Sequence, residues 1–411
     1  MVTATALKLT VTTGQFHPKY HGHFPPEQVV TLFRNQVVNI GEISTCERLV
    51  NSSLKGIPLI IGGGNRGVVS SCSYEARTFG VRSAMPMKLA QRLCPQAKVV
   101  KGDMELYSKM SHLVTEVIEE SAPVMEKASI DEFYLDITGM DRFFGAYKWT
   151  NELGRKIEKE TGLPISYALS VNKTVSKIGT GESKPHGHRE IPSLAVQSFL
   201  NPLSIKKMPM VGKATFELFS RVGIRTIGTL SQMPVDVLQQ MIGKNGVDLW
   251  KKANGIDNTP VLPHSERKSI SKERTFDSDT MDVAKVKSLI SGMAEELAHQ
   301  LRSEKWLTST VVIKVRYSNF DTETKQCRVS YTSSDHTLAR VALELFDKVY
   351  SRRMRLRLVG LRFTDLVHGC YQMNLFEDNA ELISLYQAMD KIKNRFGKNA
   401  VGRAVGFNFS R

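Results

Sequence analysis

Residues 127–139 read KASIDEFYLDITG. Ile130, Phe133, Tyr134, Leu135 and Ile137 are side-chain types that fill β-strands, so the stretch predicts a strand. Inside it, Asp131 and Glu132 stand side by side. Burying two neighbouring carboxylates is costly unless positive charge meets them. Consecutive strand residues point to opposite faces, so these two reach one ion only at a strand end, a turn or a bulge. Taken alone, the pattern favours an edge strand with solvated acids. A second ingredient, groups that hold phosphates, is needed to overturn that reading.

Working outward, the flanking text alternates β and α. GIPLIIGGG (56–64) predicts a strand entering a glycine loop, and residues 67–95 predict strand, helix, turn and helix. Residues 105–123 have helical spacing and stop at Pro123. A charged helix (150–162), a strand (165–172) and a helix from Lys173 follow. This is an α+β arrangement carrying an insertion. Residues 200–262 read as all-helical, and residues 263–275 as a polar, basic linker entering a strand. Beyond it, helix 282–303, two strands, helix 335–350 and strand 355–366 predict a β-α-β-β-α-β plait.

The chain has 411 residues, which suits two to four domains. At 41% hydrophobic and 24% charged it has the composition of a globular protein. Lys and Arg total 56 against 41 acids, a net charge of +15. That excess suggests a polyanionic partner, nucleic acid first and an anionic membrane surface second, although a basic surface kept for solubility has the same signature. The five cysteines show no CxxC spacing and no zinc cluster, which fits a reducing compartment. HPKYHGH (17–23) reads as a solvated loop rather than a metal cluster. No apolar run reaches membrane-spanning length and the first residues lack a signal-peptide core, so a cytoplasmic protein without membrane attachment is expected.

The phosphate-holding groups are present. SYEARTFGVRSAMP contains Tyr74, Arg77 and Arg82, with Tyr74 and Arg77 three apart on one helix face. A guanidinium offers a planar fork to phosphate oxygens and a tyrosine a hydroxyl donor. GESKPHG puts Lys184 in a turn. GGGNRG lacks the GK[ST] ending of a P-loop, so a clamp made of side chains is expected. Acids with magnesium on one side and Arg, Tyr and Lys on the other suit phosphoryl transfer.

Together, SYEARTFGVRSAMP, ASIDEFYLDITG, LSVNKTVSKIGTGESKPHG and RKSISKERTF resemble the Y-family DNA polymerases, the translesion type called DNA polymerase IV or DinB, with UmuC close by. The resemblance runs from about Cys46 to the C-terminus, with the motifs in order. It implies an α+β multidomain right hand. Residues 1–45 are a divergent segment in which VVNI is a candidate first palm strand. Fingers span 46–104, palm 105–192, thumb 193–262, little finger 266–366 and a C-terminal tail 367–411.

The resemblance also implies roles. Asp131 is a metal-binding aspartate and Glu132 the adjacent catalytic and metal-binding glutamate, served by two Mg2+ ions. Tyr74, Arg77 and Lys184 grip the triphosphate of a dNTP. Gly212 and Lys213, in a helix-hairpin-helix, hold a DNA phosphate, although Gly212 and Gly223 also read as ordinary helix caps. Arg267, Lys268, Lys272, Arg274, Lys314 and Arg316 track the DNA backbone; a solvated strand face is the plainer alternative. Gln372, Leu375 and Phe376 in QMNLF resemble the anchors by which bacterial polymerases dock on the sliding clamp. The expected protein is a monomer that binds primer–template DNA and the clamp.

One part departs from the family, whose first strand has the form HxDxxxFFAxVE and supplies a third metal-binding carboxylate. Counting back from Glu47 puts Val38 at the Asp position and Ile43 at the aromatic position that excludes a ribose 2′-hydroxyl. Residues 1–45 contain no Asp, and Glu42 is the nearest acid. The abrupt loss, with SIDE and YEAR intact, reads as a replaced or out-of-frame N-terminal segment. A coding sequence with no HxDxxxFF text in any frame would count against that reading. The alternative function is a catalytically impaired accessory protein that keeps the DNA and clamp contacts.

Overall fold

The structure is a computed structural model that describes residues 35–40, 43–64, 66–140, 145–263, 266–369, 379–397 and 400–402. QMNLF, HPKYHGH, Glu42 and Cys370 lie outside the described residues. The chain divides into two compact units, Met1–His264 and Ser265–Arg411.

In the first unit, β1 (Asn35–Ile40) leads into α1 (Ile43–Val50). Next come β2 (Leu59–Gly62), β3 (Val69–Cys72), α2 (Tyr74–Thr78), α3 (Met87–Leu93) and β4 (Lys98–Val100). These strands form a small sheet in the order β3-β2-β4. Ile60, Val69, Cys72, Val81, Met87 and Ala90 make its own apolar core.

The chain continues with α4 (Met104–Glu119), β5 (Val124–Lys127), β6 (Glu132–Asp136), α5 (Ala146–Thr161), β7 (Ile165–Ser170), α6 (Lys173–Glu182) and β8 (His188–Glu190). A five-stranded sheet results, ordered β5-β6-β1-β7-β8. VVNI therefore lies in the central strand, antiparallel to both neighbours. Alternation decides which side chains are buried where. Val38, Ile40, Phe133 and Leu135 join α4 and α5 in one core, whereas Val37 and Tyr134 meet Val261 on the other face.

Five helices then pack as a cluster: α7 (Val196–Leu200), α8 (Lys213–Arg221), α9 (Ile227–Ser231), α10 (Val235–Ile242) and α11 (Lys244–Ala253). Asp257, just past α11, accepts hydrogen bonds from Thr174 and Lys252 and so ties this cluster to α6.

The second unit runs β9 (Ser269–Thr280), α12 (Val283–Ser303), β10 (Trp306–Tyr317), β11 (Thr322–Thr332), α13 (Asp335–Val349), β12 (Leu356–His368) and α14 (Asn379–Phe396). This is the expected β-α-β-β-α-β order, with the sheet arranged β11-β10-β12-β9. Val311, Ile313, Val315, Tyr317, Val359, Leu361 and Phe363 face α12 and α13 in the core. α14 docks through charge as well as apolar area: Asp390 takes hydrogen bonds from Arg302 at 2.7 and 2.9 Å, and its Oδ1 lies 2.8 Å from His299 Nδ1. No helix among the described residues is long and apolar enough to cross a membrane.

Candidate active site

The acidic pair sits where β6 begins. Asp131 precedes the first strand residue, and its carbonyl accepts from Ile40 N at 2.8 Å. Being off the strand frees Asp131 from strict alternation, and its carboxylate takes a 2.6 Å hydrogen bond from Ser129 Oγ. Glu132 is the first strand residue and stands opposite Asn39. The two carboxylates have different partners. Lys177, on α6, donates to Glu132 Oε2 at 2.7 Å. Burial alone would lower the Lys177 pKa, but the Glu132 hydrogen bond and charge, with Tyr134, raise it overall.

A cavity of about 190 Å³ is lined by Asn39, Ile43, Ser70, Ser71, Tyr74, Arg77, Ser83, Asp131 and Lys184. Each residue arrives by a different local device. Ser73 caps α2, accepting from Ala76 N, which sets Tyr74 and Arg77 on the first turns of that short helix. The Arg77 guanidinium carbon lies 5.4 Å from the Tyr74 ring centre, and its Nε donates to the Cys72 carbonyl. Arg82 instead braces the following turn, donating to the Arg77 and Val81 carbonyls. Lys184 follows the C-terminal end of α6. Glu75 points away, bonded at 2.7 Å to Arg48 of α1.

Counting back from Glu47 assigned Val38 to the carboxylate position. The structure does not bring Val38 to the cavity: it is fully buried among apolar side chains. Asn39 lines the cavity instead. The physical reason is the pleat, because only one parity of β1 faces the core and Val38 belongs to it. The Asn39 Oδ1 is buried without a hydrogen-bond partner. Ile43 does line the cavity. Asn39 and the hydroxyls of Ser70, Ser71 and Ser83 at the cavity, and Lys177 on Glu132, carry no signal in the sequence, since only strand register and tertiary packing place them.

The basic residues further along the chain are placed as follows. Gly212 is the N-cap residue of α8, and Lys213 is exposed with Glu217 one turn on, at 3.9 Å. Gly223, at φ 82°, closes the turn after α8. In the second unit, Lys272 and Arg274 pair across from Leu361 and Val359, hence on the helix-covered side at the sheet edge. Arg267 is bonded to Glu304 and Lys272 to Glu296, both on α12 or its C-terminal end. Lys268 and Arg274 are exposed without an ion-pair partner among the described residues. Lys314 and Arg316 occupy the opposite sheet face; Lys314 meets Glu273 at 2.8 Å and Arg316 donates to Thr322 Oγ1 at 2.8 Å. The four of these residues that lie on strands thus split between two faces, and Arg267 and Lys268 precede β9. Arg328 and Arg362, not singled out from sequence, share the face of Lys314 by register.

The chain matches the impB/mucB/samB family over residues 42–181 and that family's C-terminal domain over residues 267–375. It is 34% identical over 360 residues to the DNA polymerase IV of Dehalococcoides mccartyi, covering 86% of this chain and 92% of that protein. The chain belongs to the Y family of DNA polymerases. The DNA polymerase IV of Exiguobacterium sibiricum is 35% identical over 318 residues, covering 76% of this chain and 88% of the relative. That of Streptococcus pneumoniae is 34% identical over 323 residues, covering 76% and 91%. A solved Y-family DNA polymerase chimera superposes with a TM-score of 0.75 at 24% identity, spanning 82% of this chain and all of that one, which shows the shared fold. The family match covers residues 42–181, so β1, before it, and the edge strand β8, after it, are the strands of the five-stranded sheet that lie outside it.

Proposed function

We propose that this Y-family chain is a DNA-directed DNA polymerase for translesion synthesis, adding deoxynucleotides to a primer 3′-hydroxyl. The observation that carries the reading is the convergence of Tyr74, Arg77, Lys184 and Asp131, from three separate segments, on one cavity. Arg77 and Lys184 would bind the triphosphate by charge-assisted hydrogen bonds, with the Tyr74 hydroxyl donating to a phosphate oxygen. In the reaction the 3′-oxygen bonds to the α-phosphorus, the α–β bridging bond breaks, and pyrophosphate leaves with that electron pair. The hydroxyl proton passes to solvent.

The family implies divalent metal at this site. The Asp131 carboxylate and the unpartnered Asn39 Oδ1 are hard oxygen donors, and magnesium is commonly held by one or two carboxylates plus substrate phosphates. The donor set therefore fits one ion bound together with the nucleotide. It falls short of two, because Glu132 is engaged by Lys177 and the described residues contain no group of three acidic, His or Cys ligands. When bound, the ion supplies positive charge to the phosphate oxygens. Asp131, steadied by Ser129, would orient it.

The second reading, an impaired accessory protein that keeps the DNA contacts, is favoured by Val38 being buried and by a neutral amide standing beside Asp131. Primer–template DNA is the partner in both readings. A sliding clamp, engaged through Gln372, Leu375 and Phe376, and a monomeric, cytoplasmic protein complete the proposal. Primer extension with magnesium tests it. Extension by this chain, lost in Arg77→Ala and Lys184→Ala, supports the polymerase. No extension beside salt-sensitive binding of primed DNA supports the accessory protein.

A further inference from the structure

Phe320 sits at the tip of the β10–β11 hairpin with 62% of its surface exposed. Its backbone is left-handed, at φ 70°, a conformation that costs an aromatic residue energy and persists only where its surroundings impose it. The imposing contacts are backbone hydrogen bonds: Phe320 N to Tyr317 O, Tyr317 N to Asp321 O, and Ser318 N to Arg355 O. The last one lays the 351–355 loop against the hairpin. Arg357 stacks its guanidinium 4.5 Å from the Phe320 ring centre.

Two acids of the hairpin, Asp321 and Glu323, are both taken up by Arg352, at 2.9 and 3.0 Å. Arg353 and Arg355 are exposed and have no ion-pair partner among the described residues. An aromatic ring backed by one guanidinium, with exposed arginines on the adjoining loop, is the chemistry that binds unpaired nucleotides: a base stacks on the ring while the arginines meet the phosphates. Duplex DNA offers no free base face, so this arrangement discriminates by strandedness.

We propose that Phe320, with Arg357 stacked on one face and the exposed Arg353 and Arg355 on the adjoining 351–355 loop, is a stacking site for an unpaired base of single-stranded DNA. The site deepens the polymerase reading and rests on it: the ligand would be template strand not yet copied.

The test is fluorescence anisotropy of the full chain with a labelled oligo-dT strand and with a blunt duplex of equal length, over a series of salt concentrations. Phe320→Ala should weaken single-strand binding by about tenfold, within the range for one lost base stack, and leave duplex binding unchanged. Its slope of log affinity against log salt should stay at the wild-type value. Arg353→Ala with Arg355→Ala should reduce that slope by about 1.4, two phosphate contacts on a single strand. Phe320→Trp should retain affinity, which separates stacking from loss of hairpin shape. Equal weakening for single strand and duplex, or wild-type affinity in Phe320→Ala, overturns the proposal. Primer extension by the wild-type chain tests the underlying polymerase reading separately, because oligo-dT binding requires no catalysis.

Discussion

Lys177 Nζ lies 2.7 Å from Glu132 Oε2, so the second acid of the SIDE sequence is already neutralised from within the protein. Its neighbour Asp131 faces a different way, into the cavity with Tyr74, Arg77 and Lys184. Adjacent carboxylates that looked equivalent in sequence therefore have distinct environments. Glu132 belongs to an ion pair across β6 and α6, and Asp131 to the cavity.

The ion pair has a measurable consequence. A lysine on Glu132 competes with any divalent cation that seeks the same carboxylate. Lys177→Ala should therefore strengthen Mn2+ binding by about tenfold, a modest fraction of the Coulomb energy available to a partly exposed pair. Manganese titration followed by electron paramagnetic resonance, with a non-hydrolysable dNTP present, reads this directly. Unchanged or weaker binding would show that Lys177 supports the site rather than competing for it.

Asn39 faces Glu132 across the β1–β6 pair and its Oδ1 lacks a partner. Replacing that amide with a carboxylate adds charge without adding volume. Asn39→Asp should tighten divalent-ion binding at least about tenfold, and should raise primer extension if ion placement limits this chain. Val38→Asp should instead destabilise the fold, since it puts a charge into the apolar core. If Val38→Asp folds normally and gains metal affinity while Asn39→Asp does not, the β1 register is other than described.

The α11–α6 connection carries a pH dependence. Burial of Asp257 opposes its ionisation, but the Lys252 hydrogen bond, then those of Thr174 and Thr259, bring its pKa down to about 2 from 3.8. A carboxyl with a depressed folded pKa stabilises above its unfolded value, and that stability is lost as pH falls through the window from about 4 to 2. Asp257→Asn should cost on the order of 2 kcal/mol at neutral pH, with the difference from wild type shrinking across that window. Urea unfolding at pH 7 and pH 3 checks it; equal losses at both values would contradict the assignment.

Arg302 serves two acids, Asp335 at 2.5 Å and Asp390 at 2.7 Å, and Asp335 is fully buried. Removing the arginine strands the buried carboxylate. Arg302→Ala should destabilise the second unit by about 3–5 kcal/mol, the cost of breaking a buried pair from one side. Asp390→Ala should cost less, because Asp335 keeps its partner. Thermal melting of both variants compares them, and the reverse order would place the main anchor on α14.

Much of this molecule was legible from text because the signals are local. Helix periodicity, the stop at Pro123 and the linker composition near residue 265 reflect backbone preferences and burial patterns within a few residues. The β-α-β-β-α-β order of the second unit was readable for the same reason. Tyr74 and Arg77 could be paired by helical spacing alone. Lys177 carries no local signal, since nothing within five residues of it is acidic except Glu182.

By itself, the sequence determined the kind of element at each stretch and the residue types available for phosphate chemistry. Tertiary structure decided which side chains meet. Strand pairing is long-range, and a one-residue change of register turns every side chain to the other face. Thus Asn39 rather than Val38 reached the cavity, Glu132 went to Lys177, and Lys272 and Arg274 took one face of the second unit's sheet while Lys314 and Arg316 took the other.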